Sequence, residues 1–388
     1  MYSQGDLEKV SVNVTKDLNK LEERILGDIV RRVEINGFST ASADWQIDRL
    51  QMLGNTEESI TEALEEAMED LDMDIDHIFD EEVYRSYMGH EKAYHLKGMT
   101  QIPFKENEPL NQLIDAVKSQ TKGKCKNLTR TIGVSTRDIK GKKTRPLMPF
   151  VRDMYDQAMY DIHSGGFDYQ TVLKRTVDTL ARSGVRYIDY VGGKSFRLEA
   201  AVRMNVMTGF RQIQGEINKQ VAKDLNTDWY EVSWHAGARP SHQEWQGRVY
   251  SYHDLVDICG YGSAEGLLGI NCYHDFAPFI PGASIRVYTD EWLDKQNAKE
   301  NEKTEYAGTE YTTYEALQKQ REMERAMRLD REKIYLLKEG KGSEKDITDV
   351  KGHYQTLKGQ YIGFSKKMDL PQQWDRINLD GLKKRIKE

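Results

Sequence analysis

Residues 235–245 read HAGARPSHQEW, and these eleven positions hold two histidines, an arginine, a proline and a tryptophan within a strongly charged chain. Just upstream, in YEVSW (230–234), Tyr230, Val232 and Trp234 alternate with Glu231 and Ser233, the period of a half-buried strand. Pro240 then enters a turn, and Ser241 with Glu244 three residues on makes a capping box. The spacing predicts a short helix that puts His242 and Trp245 on one face. RVYSY (248–252) alternates again as a second strand. Beyond it, the glycines of CGYGSAEGLLGINCYHDFAPFIPG (259–282) allow a tightly folded irregular loop. That loop ends on Cys272, His274 and Phe276, whose spacing of two places their side chains on one side of an extended segment. Together these features predict a small mixed α/β unit.

Four of the nine histidines (His235, His242, His253 and His274) and two of the three cysteines fall in this unit. Cysteine and histidine are zinc ligands, a closed structural site needs four of them, and His235, His242, Cys272 and His274 are the usable set. No CxxC or HxxxH pair anchors that set locally, so no metal is assigned. A catalytic reading has Cys272, His242 or His274, and Asp275 or Glu244 as nucleophile, base and orienting acid, and spacing does not show that they converge. The glycines fit neither a phosphate-binding loop nor a dinucleotide fingerprint. Two roles are left for the polar side chains. Arg239 and the helix start at Ser241 suit a carboxylate or phosphate. Alternatively, Arg239, His242, Asn271 and His274 hydrogen-bond loop carbonyls and fix a fold too small to rely on its core. The quantity of irregular backbone needing partners favours the second role, with no catalytic residue and no cofactor.

Outside this unit the chain reads as helical. Its 388 residues exceed one usual core, so two or three domains are expected. With 38% apolar and 31% charged residues it fits a globular protein better than a disordered one. Neither a membrane-length apolar run nor a basic-then-apolar leader is visible, and three scattered cysteines argue against a disulfide framework, which together suit a cytosolic origin. Apolar residues from Leu7 to Val33 recur at helical steps, with Gly37 as a stop. A second helical region, about 56–87, holds 13 acidic residues between Glu57 and Glu82 and no Lys or Arg. Asp70, Asp72, Asp74, Asp76 and Glu81 follow a calcium-loop spacing there, but Ile75 stands where glycine is required, so the stretch reads as acidic helix. The net charge of −7 hides a reversal at 118–146, where ten basic residues face one acid and the Gly and Thr content suggests loops. Lys118, Lys122, Lys124, Lys126, Arg130, Lys140, Lys142, Lys143 and Arg145 are candidates for nonspecific phosphate contact, against which stands a solvated linker or an acidic protein neighbour. Three helices with glycine turns fill 147–225. A long helix from about Thr313 to Lys338 carries a seam of Ala316, Met323, Met327, Ile334 and Leu337, interrupted by Gln320 and Asp330. It reads equally as a docking helix or as one packed on its own chain, followed from Gly340 by a loosely attached helical tail.

The succession HAGARPSHQEWQGRVYS and GYGSAEGLLGINCYHDFAPFIPG, preceded by SGGFDYQTVLKRTVDTLARSGVRYIDY and RLEAAVRMNVMTGFRQ, resembles the minor capsid proteins of tailed phages and of prophages of Gram-positive bacteria, distant relatives of the Mu-F-like head morphogenesis proteins. The likeness runs from about residue 145 into the C-terminal arm. The matching positions are His235, Gly237, Arg239, Pro240, Ser241, His242, Trp245, Gly247, Gly260, Tyr261, Gly262, Gly266, Asn271, Cys272, His274 and Pro281. Where many relatives have Cys and Arg, this chain has Leu268 and Tyr273, which argues against a metal site built on a C-x3-C pair. The resemblance implies a non-enzymatic virion protein at or near the portal vertex and head interior, assembled in the host cytoplasm. Its partners would be the portal protein, the major capsid protein or both, with nonspecific contact to packaged DNA and no membrane. The alternative is a genome-packaged effector or metal-dependent nuclease using the His/Cys cluster. The fold expected is α+β, predominantly helical, with a helical charged region and basic linker at 1–144, a helical bundle at 145–228, the small α+β domain at 229–290 and a helical arm at 291–388.

Overall fold

The computed structural model describes residues 2, 4–35, 42–138, 141–163, 166–188 and 195–378. It is predominantly helical with small antiparallel sheets, the α+β class expected. The chain divides into two compact units, each drawn from three separated stretches: Met1–Asn13, Asp72–Cys125 and Arg203–Lys319 in the first, and Val14–Leu71, Lys126–Val202 and Gln320–Glu388 in the second.

The first unit is organised by the helix Leu198–Asp224, whose Val206, Phe210, Ile213, Ile217 and Val221 recur at steps of three and four and are wholly buried. Glu108–Arg130 is a second long helix, burying Leu110, Ile114, Val117, Thr121 and Cys125 at the same period. Residues 118–130, expected as loop, therefore continue a helix: the apolar row runs on, and Gly123 sits where an added Cβ would meet nothing. Nor do its lysines face outward together. Lys118 Nζ lies 2.7 Å from Asp80 and Lys122 Nζ 2.8 Å from Asp76, and the Lys122 ammonium holds the Asp76 carboxyl below the usual carboxylate range. The acidic stretch is the helix Ser42–His77 continued by one π turn, Ile78–Glu82, so the calcium-like spacing runs through continuous helix, as read.

At the amino terminus, the single helix expected from Leu7 to Val33 is two, Gln4–Val10 and Val12–Ile35. The break falls at buried Ser11, whose Oγ accepts a 3.0 Å hydrogen bond from Arg203 Nε. Gly37 lies outside the described residues. The small sheet orders its strands Val249–Ser251, Trp229–Val232, Phe276–Phe279, all antiparallel, with Tyr230 opposite Tyr250 on one side and Pro278 on the other. The first two strands match the sequence reading. The third is an edge strand, where Pro278 is tolerated. Tyr230, Val232, Trp245, Leu255 and Phe276 form its core with Ala222 of the 198–224 helix.

In the second unit a four-stranded antiparallel sheet runs in the order Gly141–Pro146, Ile132–Asp138, Arg186–Ile188, Ser195–Arg197, pairing Val134 with Arg145, Gly133 with Arg186 and Tyr187 with Phe196. These strands occupy links that the sequence reading gave to loops and glycine turns: the basic side chains of 132–146 mask its period-two pattern. Gly184, at φ +60°, does end the helix Tyr169–Ser183 as predicted.

The long helix Thr313–Glu339 is also as predicted, and its polar interruptions are partnered within the chain. Gln320 Nε2 donates to Ser365 Oγ (3.0 Å) and to the Pro371 carbonyl (2.9 Å), and Asp330 lies 2.6 Å from His353 Nδ1. These partners come from the helix Glu344–Lys367 and the turn after it. That helix buries Tyr354, Tyr361 and Phe364, so the segment after Gly340 is firmly packed, which corrects the loosely attached tail. Beside this seam, Arg197 donates to Glu22 at 2.8 Å and stands 3.7 Å from Glu332, which is 13% exposed. Burial, which the Arg197 charge opposes and repulsion from Glu22 reinforces, pushes the Glu332 carboxyl up from 4.5 to about 8. The folded chain then keeps a proton that the unfolded chain releases, so this contribution is fully present below 4.5 and is lost as pH rises toward 8. Denaturant melts across that window should show stability falling with pH, and Glu332→Gln should flatten the slope. An unchanged slope in the variant would contradict this.

Candidate functional site

Three polar residues of the 198–224 helix, Arg211, Gln214 and Asn218, share one face and are almost wholly buried. They meet the extended segment 272–276, in which alternate carbonyls point the same way. Arg211 NH2 donates to the carbonyls of Cys272 (3.0 Å) and His274 (2.7 Å), and Asn218 Nδ2 donates to that of Phe276 (2.6 Å). Gln214 accepts from Arg211 NH1 (2.8 Å) and donates to Asp275 Oδ2 (3.2 Å). Asp275 also accepts from the backbone N–H of Tyr2 (2.9 Å) and of Phe276 (2.8 Å). Burial lowers the pKa of Arg211, and the Asp275 charge opposes that. The sequence reading gave this stretch only as a helix and missed the row. Its signal was polar residues at 211, 214 and 218 between positions with a core period.

The carbonyl contacts of Arg211 orient Cys272 and His274. His242 arrives from the short helix Pro240–Gln243. Its cap is Arg239, not Ser241, because Pro240, with its fixed φ, takes the first helical position. The capping box is therefore not formed, and no side chain caps this helix. His242 Nε2 is 2.7 Å from the Glu265 carbonyl, and His274 Nε2 is 2.9 Å from Gln246 Oε1. The two rings approach Nδ1 to Nδ1 at 3.4 Å, with Cys272 Sγ 3.5 Å from His274 Nδ1 and 3.9 Å from His242 Nδ1. The Trp245 ring lies 4.5 Å from that of His242 and 4.8 Å from that of His274. His242, Cys272 and His274 are 2%, 7% and 0% exposed. Burial pushes His242 down to about 4, His274 well below its ordinary value and the Cys272 thiol up. All three are neutral at physiological pH.

The structure thus brings together three of the four residues weighed as a ligand set. The fourth, His235, lies with its ring centroid 4.2 Å from that of His274 and its Nδ1 3.0 Å from the Ala236 carbonyl. Asp275 bonds Gln214 and backbone N–H groups rather than either imidazole, so a Cys–His–Asp arrangement is not assembled. Arg239 donates to the Ile270 carbonyl at 2.9 Å, and with His242 it performs the loop-binding role read from the sequence. His274 bonds Gln246 instead, and exposed Asn271 serves through its left-handed backbone, φ +55°. Gly237 is at φ +68°, where a Cβ would fall 2.0 Å from Leu317, and its N–H donates to Glu300 (2.8 Å). Gly266 packs against Gly260 so tightly that a Cβ would lie 2.0 Å from the Gly260 carbonyl oxygen. Gly247 and Gly262 also take positive φ.

Of the basic candidates, Lys118 and Lys122 are ion-paired as described, and Arg145 pairs with Asp153. Lys124, Lys126 and Arg130 are exposed on their helix, while Lys142 and Lys143 lie in the strand Gly141–Pro146 and Lys140 lies outside the described residues. All three cysteines are free and buried. Among the described residues, no helix is long and apolar enough to cross a membrane.

Comparison with known proteins places this chain in a family. A curated relative described as "Structural protein", from Lactococcus phage LL-H, is 25% identical over 219 residues. That alignment takes in 53% of this chain and 57% of the relative, so the chain spans a little over half the relative's length. No solved structure matches the chain. The family described as Phage minor capsid protein 2 matches residues 4–362, nearly the whole length and parts of both units. The chain belongs to the phage minor capsid protein 2 family.

Proposed function

We propose that this protein is a structural component of the phage virion that acts through binding surfaces and performs no chemistry of its own. Its place is the portal vertex and head interior, and its partners are the portal protein, the major capsid protein or both. Family membership supports the virion assignment. The observation that carries the mechanical part is the commitment of polar side chains to the chain's own backbone, with the buried Arg211, Asn218 and His242 and the partly exposed Arg239 all donating to main-chain carbonyls. A glycine-rich segment held this way is a rigid docking piece, since its irregular backbone has partners that do not depend on a large apolar core. A packaged effector or nuclease would need substrate access to His242, Cys272 and His274, and their burial speaks for the non-catalytic reading. Nonspecific contact with packaged DNA would fall to Lys124, Lys126 and Arg130, whose side chains are exposed.

Crosslinking of intact virions through Lys124 and Lys126 is expected to join this protein to the portal protein. Its absence from purified particles, or crosslinks confined to tail proteins, would count against the assignment. Arg211→Met should leave two buried carbonyls without a donor and the Asp275 charge uncompensated, costing about 3 kcal/mol in urea unfolding. Particles carrying the variant should contain less of the protein. A loss below about 1 kcal/mol would show that Arg211 does not hold the segment.

A further inference from the structure

The two imidazoles at the centre of the small unit have fixed tautomers. The Glu265 carbonyl only accepts, so His242 Nε2, 2.7 Å away, carries its hydrogen. Gln246 Oε1 already accepts the backbone N–H of His235 at 3.1 Å, which orients the amide, so His274 Nε2 carries its hydrogen as well. Each neutral ring therefore turns a bare Nδ1 lone pair inward, and the two lone pairs face each other at 3.4 Å. The Cys272 thiol has one hydrogen to give and satisfies at most one ring. Three lone-pair donors thus converge on one point with an electropositive centre as their natural partner.

We propose that His242 Nδ1, His274 Nδ1 and Cys272 Sγ are the three protein ligands of a metal site for a zinc-type divalent cation. The distances fit without rearrangement. Around a tetrahedral zinc, with bonds of about 2.05 Å to nitrogen and 2.3 Å to sulfur, the N···N edge is about 3.3 Å and the N···S edge about 3.6 Å. The observed edges are 3.4, 3.5 and 3.9 Å. The outer hydrogen bonds are those of a ligating histidine, each ring presenting one nitrogen to the ion while the other donates to Glu265 or Gln246. On binding, the Cys272 thiol proton leaves to solvent, both imidazoles enter neutral, and the fourth position takes a water. The ion would tie the 240–243 helix to a segment 30 residues further along the chain and so close the glycine-rich loop between them. This site is independent of which virion partner the protein binds.

The test uses the full chain, stripped with chelator and desalted, with Zn2+ and Co2+ as probes. One ion per chain is expected, with tetrahedral cobalt d–d bands and a thiolate-to-cobalt charge-transfer band that zinc abolishes. Cys272→Ser should remain folded by circular dichroism, lose the charge-transfer band and bind at least about 100-fold more weakly. Gln246→Leu should weaken binding about 10- to 100-fold, because it removes the acceptor that orients the His274 ring. His253→Ala, an exposed histidine of the same unit, should bind as the unsubstituted chain does. Zinc should raise the melting temperature where magnesium does not. Folded protein that takes up no stoichiometric ion at micromolar zinc, or a Cys272→Ser variant that binds equally well, would overturn the site.

Discussion

The grip of Arg211 on the carbonyls of Cys272 and His274 is the contact on which the small unit turns. A helix packed beside an extended segment has no backbone donor to offer it, because its own N–H groups are used along the helix axis. The segment's inward carbonyls must then find side-chain donors or remain unpaired in a buried place. Arg211 supplies one fork of N–H groups to two of them, Asn218 reaches the third, and Asp275 balances the charge through Gln214. With those carbonyls held, the chain enters its edge strand in register opposite Val232, and the orientation of every side chain from 272 to 276 follows.

The same device recurs through the glycine-rich region. Arg239 holds the Ile270 carbonyl, His242 the Glu265 carbonyl, and Ser233 exchanges hydrogen bonds with the backbone of Asp275. Glycine enters where two backbones touch, as at Gly266 against Gly260. Such a unit is rigid because its polar groups have single solutions, a property that suits a part serving in an assembly. The histidines belong to the same logic: their outer nitrogens are bound to acceptors, and their inner nitrogens meet each other and a thiol.

In the second unit, buried polar side chains also decide what packs on what. Gln320 and Asp330 interrupt an apolar seam, and each meets a specific partner, Ser365 and His353, beyond the turn at Gly340. A buried amide or carboxylate with one good partner fixes which helix covers it, and that helix comes from the chain itself. A seam that reads as a docking surface in isolation is an internal contact here, and the aromatic side chains Tyr354 and Tyr361 fill the space beside Met327.

Local periodicity carries much of this protein. An apolar seam marked the helix 313–339, glycine turns set off the helices of 147–225, Gly184 among them, and alternation marked the strands at 229 and 249, because each signal lies within a few residues of what it specifies. The motif around HAGARPSHQEW also pointed to the capsid family without any coordinates. Sequence alone left open the partner of each polar group. Lys118 meets Asp80, Arg211 meets carbonyls 61 and 63 residues away, and His242 meets Cys272 and His274 across a whole loop. Such pairings are set by which surfaces fold against each other, and a ligand cluster with no local spacing motif becomes visible only when the tertiary structure has closed it.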